Sequence, residues 1–152
     1  GMLDGQKFYG YYPGGASGGI LPASLGDEPL DFDTLQKHDC FIGSAAIIVL
    51  SDNDKVRGLA LNSMRFFEHE SCGQCTPCRE GTGWLYRILD RITNGQGNET
   101  DINLLLDIAN RIEGNTICAF GDASAWPVQS FLHHFFDEFE YMIKNKGKSK
   151  AA

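Results

Sequence analysis

The segment "ESCGQCTPCREG", Glu70–Gly81, places Cys72, Cys75 and Cys78 close together in a chain of 152 residues that has five cysteines. Cysteines this close in sequence rarely reach the Cα separation and side-chain direction that a disulfide requires, and their total number is odd. The sequence begins "GMLDGQKF", without a positively charged start followed by an apolar stretch, so we expect a reduced, cytoplasmic protein. Clustered cysteines in that setting indicate metal or redox chemistry.

Composition and charge exclude several classes of protein. With 42% hydrophobic and 22% charged residues, the chain has the composition of a globular protein. Its longest apolar run, residues 45–50, is far shorter than the roughly 20 residues that span a bilayer, so we expect no direct insertion into a membrane. A net charge of -7 argues against a nucleic-acid partner. The one basic run lies at 144–152, which we expect to be a disordered tail.

The pattern of residues changes near position 52 and predicts an α+β fold. In residues 1–51, glycine and proline separate short extended pieces such as Lys7–Tyr12. The run Ala46–Leu50 is apolar throughout, which predicts a strand that is buried on both faces. We therefore predict a short β and loop segment at the N-terminus, followed by helices in residues 52–143.

Helical periodicity in residues 52–143 predicts a four-helix bundle. The first predicted helix runs from about Asp52 to His69, and the second follows the cysteines and continues to Ile92. The third covers about Asp101 to Ile112. The last is predicted to open near Pro127, since proline is tolerated in a first helical turn, and to continue to Met142.

The cysteines form a candidate ligand set for a metal cluster. Cys72, Cys75 and Cys78 follow a C-x2-C-x2-C pattern, and Cys118 lies in the predicted loop before the last helix. A [4Fe–4S] cluster needs one thiolate per iron, and three adjacent cysteines with a distant fourth are typical of bacterial ferredoxins. Zinc also takes four cysteines, but its sites are usually built from two separated pairs. The spacing favours the cluster, while a zinc-stabilised interaction module and a redox dithiol remain alternatives.

The remaining candidate residues have ordinary structural explanations. Cys40 is expected to be a small buried residue. Arg79 either offsets the charge of the thiolates or belongs to a solvated face. The glycine-rich "YPGGASGGI" lacks the patterns of phosphate-binding loops. No Ser/His/Asp or Cys/His arrangement indicates a hydrolase.

Two long motifs resemble a known family. "FFEHESCGQCTPCREGTGW" and "IEGNTICAFGDASAWPVQSFLHHFFDEFE" are similar to the NADH-binding flavoprotein subunit of respiratory complex I. Related subunits occur in NAD-dependent formate dehydrogenases and bidirectional hydrogenases. "YYPGGASGGILPAS" resembles the stretch just upstream in the same subunits, so the resemblance covers nearly the whole chain.

The resemblance implies a role in electron transfer. In this family the corresponding cysteines bind a [4Fe–4S] cluster, which implies Cys72, Cys75, Cys78 and Cys118 as ligands here. Residues 1–51 would be the end of a ubiquitin-like (SLBB) domain, and the preceding part of the family, which binds FMN and NADH, is absent from these residues. The chain would relay single electrons from FMN to the next cluster within an oxidoreductase of several subunits, and those partners would hold it peripherally on the membrane.

Overall fold

The computed structural model describes residues 2–149, in which a small sheet precedes a group of helices. The first part contains the strands β1 (Phe8–Tyr12), β2 (Leu21–Pro22) and β3 (Ile48–Ser51) and the short helix α1 (Phe32–Gln36). The second part contains the helices α2 (Val56–Glu70), α3 (Thr76–Thr93), α4 (Thr100–Ile112), α5 (Ala119–His134) and α6 (Phe136–Lys144). The α+β prediction is confirmed.

The three strands form an antiparallel sheet in the order β2-β1-β3. Gly10 lies at its centre, paired with Pro22 on one side and Leu50 on the other. A side chain is not tolerated there, because a Cβ at Gly10 would lie 2.6 Å from the Leu21 carbonyl oxygen. The predicted extended piece at Lys7–Tyr12 therefore corresponds to the central strand.

The prediction that the apolar run Ala46–Leu50 is buried on both faces is wrong. Side chains at Ile47, Ile48 and Val49 are 51%, 46% and 55% exposed, and burial begins only at Leu50. Ile48 and Val49 point to opposite faces of the sheet, and residues 2–149 leave both faces partly uncovered at this end of β3. An apolar run is buried on both faces only when layers cover both sides of its sheet.

Helices α2 to α5 form a closed ring, in which α2 packs on α3, α3 on α4, α4 on α5 and α5 on α2. Neighbouring helices are antiparallel, since Arg91 near the end of α3 pairs with Asp101 at the start of α4. Apolar side chains from all four helices fill the ring: Met64, Phe67, Leu85, Leu89, Leu105, Ile112 and Phe131. Burying one such side chain stabilises the fold by roughly 1.5–3 kcal/mol. The amphipathic pattern therefore accounts for the ring.

The last predicted helix differs from the structure at both of its ends. Helix α5 begins at Ala119, so Pro127 lies inside it instead of opening it, and the helix ends where Phe135 adopts φ -129° and ψ 28°. An internal proline removes one helical hydrogen bond and costs about 3 kcal/mol. Pro127 is buried, as are Val128 and Phe131 on the same helix, and this packing offsets the cost. Helix α6 then continues the chain across α3 and α5.

A buried serine joins the sheet segment to the helices. Ser130 on α5 accepts a hydrogen bond from the Ile20 amide at 2.8 Å and donates one to the Ile20 carbonyl at 3.0 Å. Tyr12, Ile20 and Leu50 enter the same apolar core as the helices. The predicted boundary between 1–51 and 52–143 coincides with the end of β3, and the two segments share one core.

The first residues of the predicted disordered tail are folded against the helices. Lys144 ends α6, and Gly147 then folds back, donating to the Met142 carbonyl at 2.8 Å and accepting from Arg57 Nη1 at 2.9 Å. Gly147 has a φ of +81° and is buried against the end of α3, where a side chain would collide with the Thr93 carbonyl. Residues 150–152 of the predicted tail lie outside the described part of the chain.

Replacing Ser130 by alanine is expected to destabilise the protein. The change leaves the buried amide of Ile20 without its partner and its carbonyl with only the 3.9 Å contact from the Cys40 thiol. An unsatisfied buried polar group costs about 1–3 kcal/mol. We expect a clear fall in the midpoint of urea unfolding, while Ser24→Ala, which alters an exposed serine of the same segment, leaves the midpoint unchanged. Equal midpoints for the two variants would show that the Ser130 contacts do not stabilise the fold.

Candidate metal centre

The loop between α2 and α3 presents three cysteines in a compact turn. Ser71 ends α2 with an extended backbone, and Gly73 has a φ of +79°, a conformation that glycine adopts without strain. Cys75 is the N-cap residue of α3, and Cys78 lies in the first turn of that helix. Pro77 fits the first turn, where the missing amide hydrogen has no helical acceptor.

The fourth cysteine lies at the start of another helix. Cys118 is the N-cap residue of α5, after a loop in which Gly114 has a φ of +70°. The Gly114 amide donates to Asp122 Oδ1 at 2.8 Å, and Thr116 Oγ1 donates to the Cys118 carbonyl at 2.9 Å. These two hydrogen bonds fix the loop against the first turn of α5.

All four predicted site cysteines line one cavity of about 170 Å³. The Ile117 amide donates a hydrogen bond of 3.5 Å to Cys75 Sγ, which links the two cysteine-bearing loops directly. On the inner side, Phe120 lines the cavity and packs edge-on against Phe67, with 5.6 Å between ring centroids. Cys78 is buried on this side, whereas Cys72 and Cys118 are exposed. The cavity is thus closed by aromatic rings on one side and open to solvent on the other.

The donor groups around the cavity fit an iron–sulfur cluster. A zinc ion draws four sulfurs to about 2.3 Å from one point. A [4Fe–4S] cluster binds each thiolate through a different iron, so its ligands surround a larger body. Four thiols around a shared cavity match that requirement, and all of them are free of disulfides.

Two helix N-termini face the cavity, because Cys75 and Cys118 are the N-cap residues of α3 and α5. The first amides of a helix have no acceptors within it, and its N-terminus carries roughly half a positive charge. Thiolates placed there are stabilised, as is the negative charge of a cluster that they bind. The backbone therefore offsets part of the negative charge that four thiolates bring together.

Arg79 supports the cysteine loop. Its Nη1 donates to the Gly73 carbonyl at 2.9 Å, and its Nε pairs with Glu80 at 2.9 Å. The guanidinium is half exposed, so the ion pair contributes little, and the hydrogen bond to the left-handed glycine is the specific contact. The sequence offered two interpretations of Arg79, a charge that offsets the thiolates and a member of a solvated face. The half-exposed guanidinium agrees with the second. Its support of the cysteine loop was not predicted from the sequence.

Two further residues that line the cavity, Ser71 and Gly121, were not predicted from the sequence. The Ser71 hydroxyl lies 3.4 Å from Cys78 Sγ, and Gly121 leaves space for the Thr116 side chain. Ser71 could have been identified because it directly precedes Cys72. The role of Gly121 depends on a tertiary contact with Thr116. No sequence pattern indicates such a contact.

Cys40 lies away from the cavity, as expected for a structural residue. It is buried in a small core with Tyr11, Leu21 and Leu35. Burial raises the pKa of its thiol to about 11, and hydrogen bonding with Ser130 lowers that pKa by a smaller amount. Cys40 therefore stays protonated and apolar at neutral pH, and its predicted burial is confirmed.

Comparison with known proteins agrees with the geometry of the centre. Residues 58–142 match the family described as the NADH-ubiquinone oxidoreductase-F iron-sulfur binding region. The chain belongs to this family. The match covers the ring of helices except the first two residues of α2, and it includes all four cavity cysteines. An iron–sulfur cluster is the cofactor of the matched region.

Curated relatives carry related names. The chain is 48% identical over 135 residues to an NADH-quinone oxidoreductase subunit of Rickettsia typhi, covering 89% of this chain and 32% of that protein. It is 50% identical over 147 residues to the mitochondrial NADH dehydrogenase [ubiquinone] flavoprotein 1 of Dictyostelium discoideum, covering 95% of this chain and 30% of that protein. The chain thus spans about a third of the length of these relatives.

A solved structure shows the same fold. The NAD+-reducing [NiFe]-hydrogenase in its H2-reduced state superposes with a TM-score of 0.80 at 27% sequence identity, over 90% of this chain and 23% of that one. The resemblance inferred from the cysteine motifs is confirmed by these relatives. Within residues 2–149, no helix has the length and hydropathy needed to cross a membrane.

Gly121→Ala is expected to disturb the cavity, because a Cβ at this position overlaps the Thr116 side chain that bonds the Cys118 carbonyl. Overpacking of this kind costs roughly 1–3 kcal/mol. Gly58→Ala is the matched control, since both glycines are the third residue of a helix and nothing lies within 4 Å of a Cβ at Gly58. The control should gain roughly 0.5–1 kcal/mol. Urea unfolding of both variants measures the difference, and stabilisation by both changes would contradict the packing described for Gly121.

Proposed function

We propose that Cys72, Cys75, Cys78 and Cys118 bind one [4Fe–4S] cluster and that the chain relays single electrons through it. The observation that carries this proposal is that four cysteines from two separate loops line one cavity in a region that matches an iron–sulfur binding family. The zinc-stabilised alternative gains no support from the matched family or from the relatives.

The residues of the chain would perform distinct tasks in this relay. When bound, the cluster supplies the chemistry of accepting and donating one electron at a time. The four thiolates hold it, and the N-termini of α3 and α5 stabilise its negative charge. Phe120 and Phe67 exclude water from the inner side. The exposed side, with Cys72 and Cys118, is then the surface at which electrons are exchanged.

The relatives indicate the larger protein to which this module belongs. We infer that it is part of a flavoprotein subunit of an NADH dehydrogenase, or of a related hydrogenase or formate dehydrogenase, with several partner subunits. In such a subunit a flavin would divide the electron pair that NADH delivers, and Cys72, Cys75, Cys78 and Cys118 would hold the group that accepts single electrons. We place FMN and NADH outside residues 1–152 and the complex on the cytoplasmic side of a membrane, held there by its partners.

We also propose that residues 1–51 are part of a ubiquitin-like (SLBB) domain. The small sheet supports this proposal, because its edge strand β3 exposes Ile48 and Val49, and the preceding Ile47 is exposed as well. An edge of this kind is normally covered or paired in a complete domain.

Anaerobic spectroscopy with metal analysis tests the proposed cluster. We expect about four irons and four acid-labile sulfides per chain, and an absorption in the visible region that dithionite bleaches with the appearance of an EPR signal. NADH alone should leave the spectrum unchanged, because no flavin is present to divide its electron pair. One zinc per chain, or protein without iron after anaerobic purification and reconstitution, would overturn the proposal. Bleaching by NADH would instead contradict the placement of flavin chemistry elsewhere.

Cys118→Ala is expected to abolish cluster binding, because Cys118 is the ligand that α5 supplies and the other three lie on the α2–α3 loop and in the first turn of α3. Most of the bound iron should be lost, and the unfolding midpoint of the reconstituted protein should fall, since metal binding contributes directly to folding free energy. Cys40→Ala is the matched control, which removes a cysteine far from the cavity and should retain the iron. Full iron content in Cys118→Ala would refute the assigned ligand set.

A further inference from the structure

The position of the Ser71 hydroxyl beside a ligand sulfur suggests a role beyond support of the loop. Ser71 Oγ lies 3.4 Å from Cys78 Sγ, within hydrogen-bonding range for sulfur. The Gly73 amide donates to the same oxygen, also at 3.4 Å. With its oxygen accepting from Gly73, the hydroxyl has its hydrogen available for Cys78 Sγ, the one acceptor that it contacts among residues 2–149.

The direction of this hydrogen bond is fixed once Cys78 binds iron. Between a thiol and a hydroxyl, either group can donate. A metal-bound cysteine is a thiolate, which has no proton, so the Ser71 hydroxyl becomes the donor. Cys78 is buried, and a hydrogen bond to a charged sulfur is stronger where water is excluded.

We propose that Ser71 donates a hydrogen bond to the Cys78 thiolate and thereby raises the reduction potential of the cluster. This inference rests on the proposed cluster site. Reduction adds one electron and no proton, so the negative charge on the iron, sulfide and thiolate atoms increases by one. A donor at a thiolate stabilises the more negative, reduced form more than the oxidised form, and hydrogen bonds to the sulfurs are among the factors that set such potentials.

Ser71 is the side chain through which this effect can be tested. Among residues 2–149, the other donor to a ligand sulfur is the Ile117 amide, which belongs to the backbone and is retained in every substitution except proline. Thr76 provides a matched control, because it is an exposed hydroxyl residue at the start of α3 whose Oγ1 contacts Arg79 and not a sulfur. Comparing Ser71 with Thr76 therefore separates the loss of a donor to sulfur from the loss of any hydroxyl in this part of the chain.

The experiment is a redox titration with EPR detection on reconstituted protein, with dithionite as the electron donor. The signal arises only from molecules that hold a reduced cluster, so incomplete loading does not change the measured midpoint. Ser71→Ala and Ser71→Gly are expected to shift the midpoint potential to more negative values. Ser71→Thr, which retains the hydroxyl, and Thr76→Ala are expected to stay near the value of the unaltered protein.

Each outcome of the titration decides the role of Ser71. An unchanged midpoint in Ser71→Ala would overturn the proposal, as would a Ser71→Thr midpoint equal to that of Ser71→Ala. If Thr76→Ala holds a cluster but neither Ser71→Ala nor Ser71→Gly does, Ser71 has a structural role and the proposal is also overturned. Failure of the unaltered protein to take up iron and sulfide would instead refute the proposed function.

Discussion

The structure depends on bringing four thiols from two separate loops to one place. Antiparallel packing within a ring of four helices achieves this, because the first and third connections of such a ring lie at the same end. The α2–α3 loop carries Cys72 and Cys75, the first turn of α3 carries Cys78, and the α4–α5 loop ends in Cys118. The same arrangement turns the N-termini of α3 and α5 toward the cavity. The helix order therefore supplies both the ligands and the partial positive charges that stabilise them.

The amphipathic pattern and the cysteine spacing were sufficient to predict the helices and the cavity. These two patterns did not place the start of α5 correctly. Proline on its own favours the first turn of a helix, but the burial of Val128 and Phe131 outweighs this preference and Pro127 lies inside α5. The exposure of Ile48 could not be predicted for a similar reason. An apolar strand has the same sequence pattern whether or not other layers cover the faces of its sheet. Both differences arise from tertiary packing, which a local pattern does not contain.

The five cysteines belong to two chemical environments. Cys40 lies in a small apolar core with its thiol pKa raised by burial, and its neighbour Ser130 is occupied by the backbone of Ile20. Cys75 and Cys118 are instead the N-cap residues of α3 and α5, whose unpaired amides face the cavity. Cys40 thus belongs to the contact between the sheet and α5, and burial keeps its sulfur out of the chemistry for which the other cysteines are placed.

The cavity is asymmetric, and the asymmetry has consequences for a bound cluster. Cys72 and Cys118 face solvent, where the high dielectric screens any single dipole. Cys78 is buried and lies beside the Ser71 hydroxyl. A polar group on the buried side therefore acts on the cluster more strongly than a similar group on the open side. In the proposed relay, electrons are exchanged on the open side of the cavity, whereas the hydrogen bond that adjusts the reduction potential lies on the buried side. A partner can therefore bind at the exposed cysteines without displacing the hydrogen bond at Cys78.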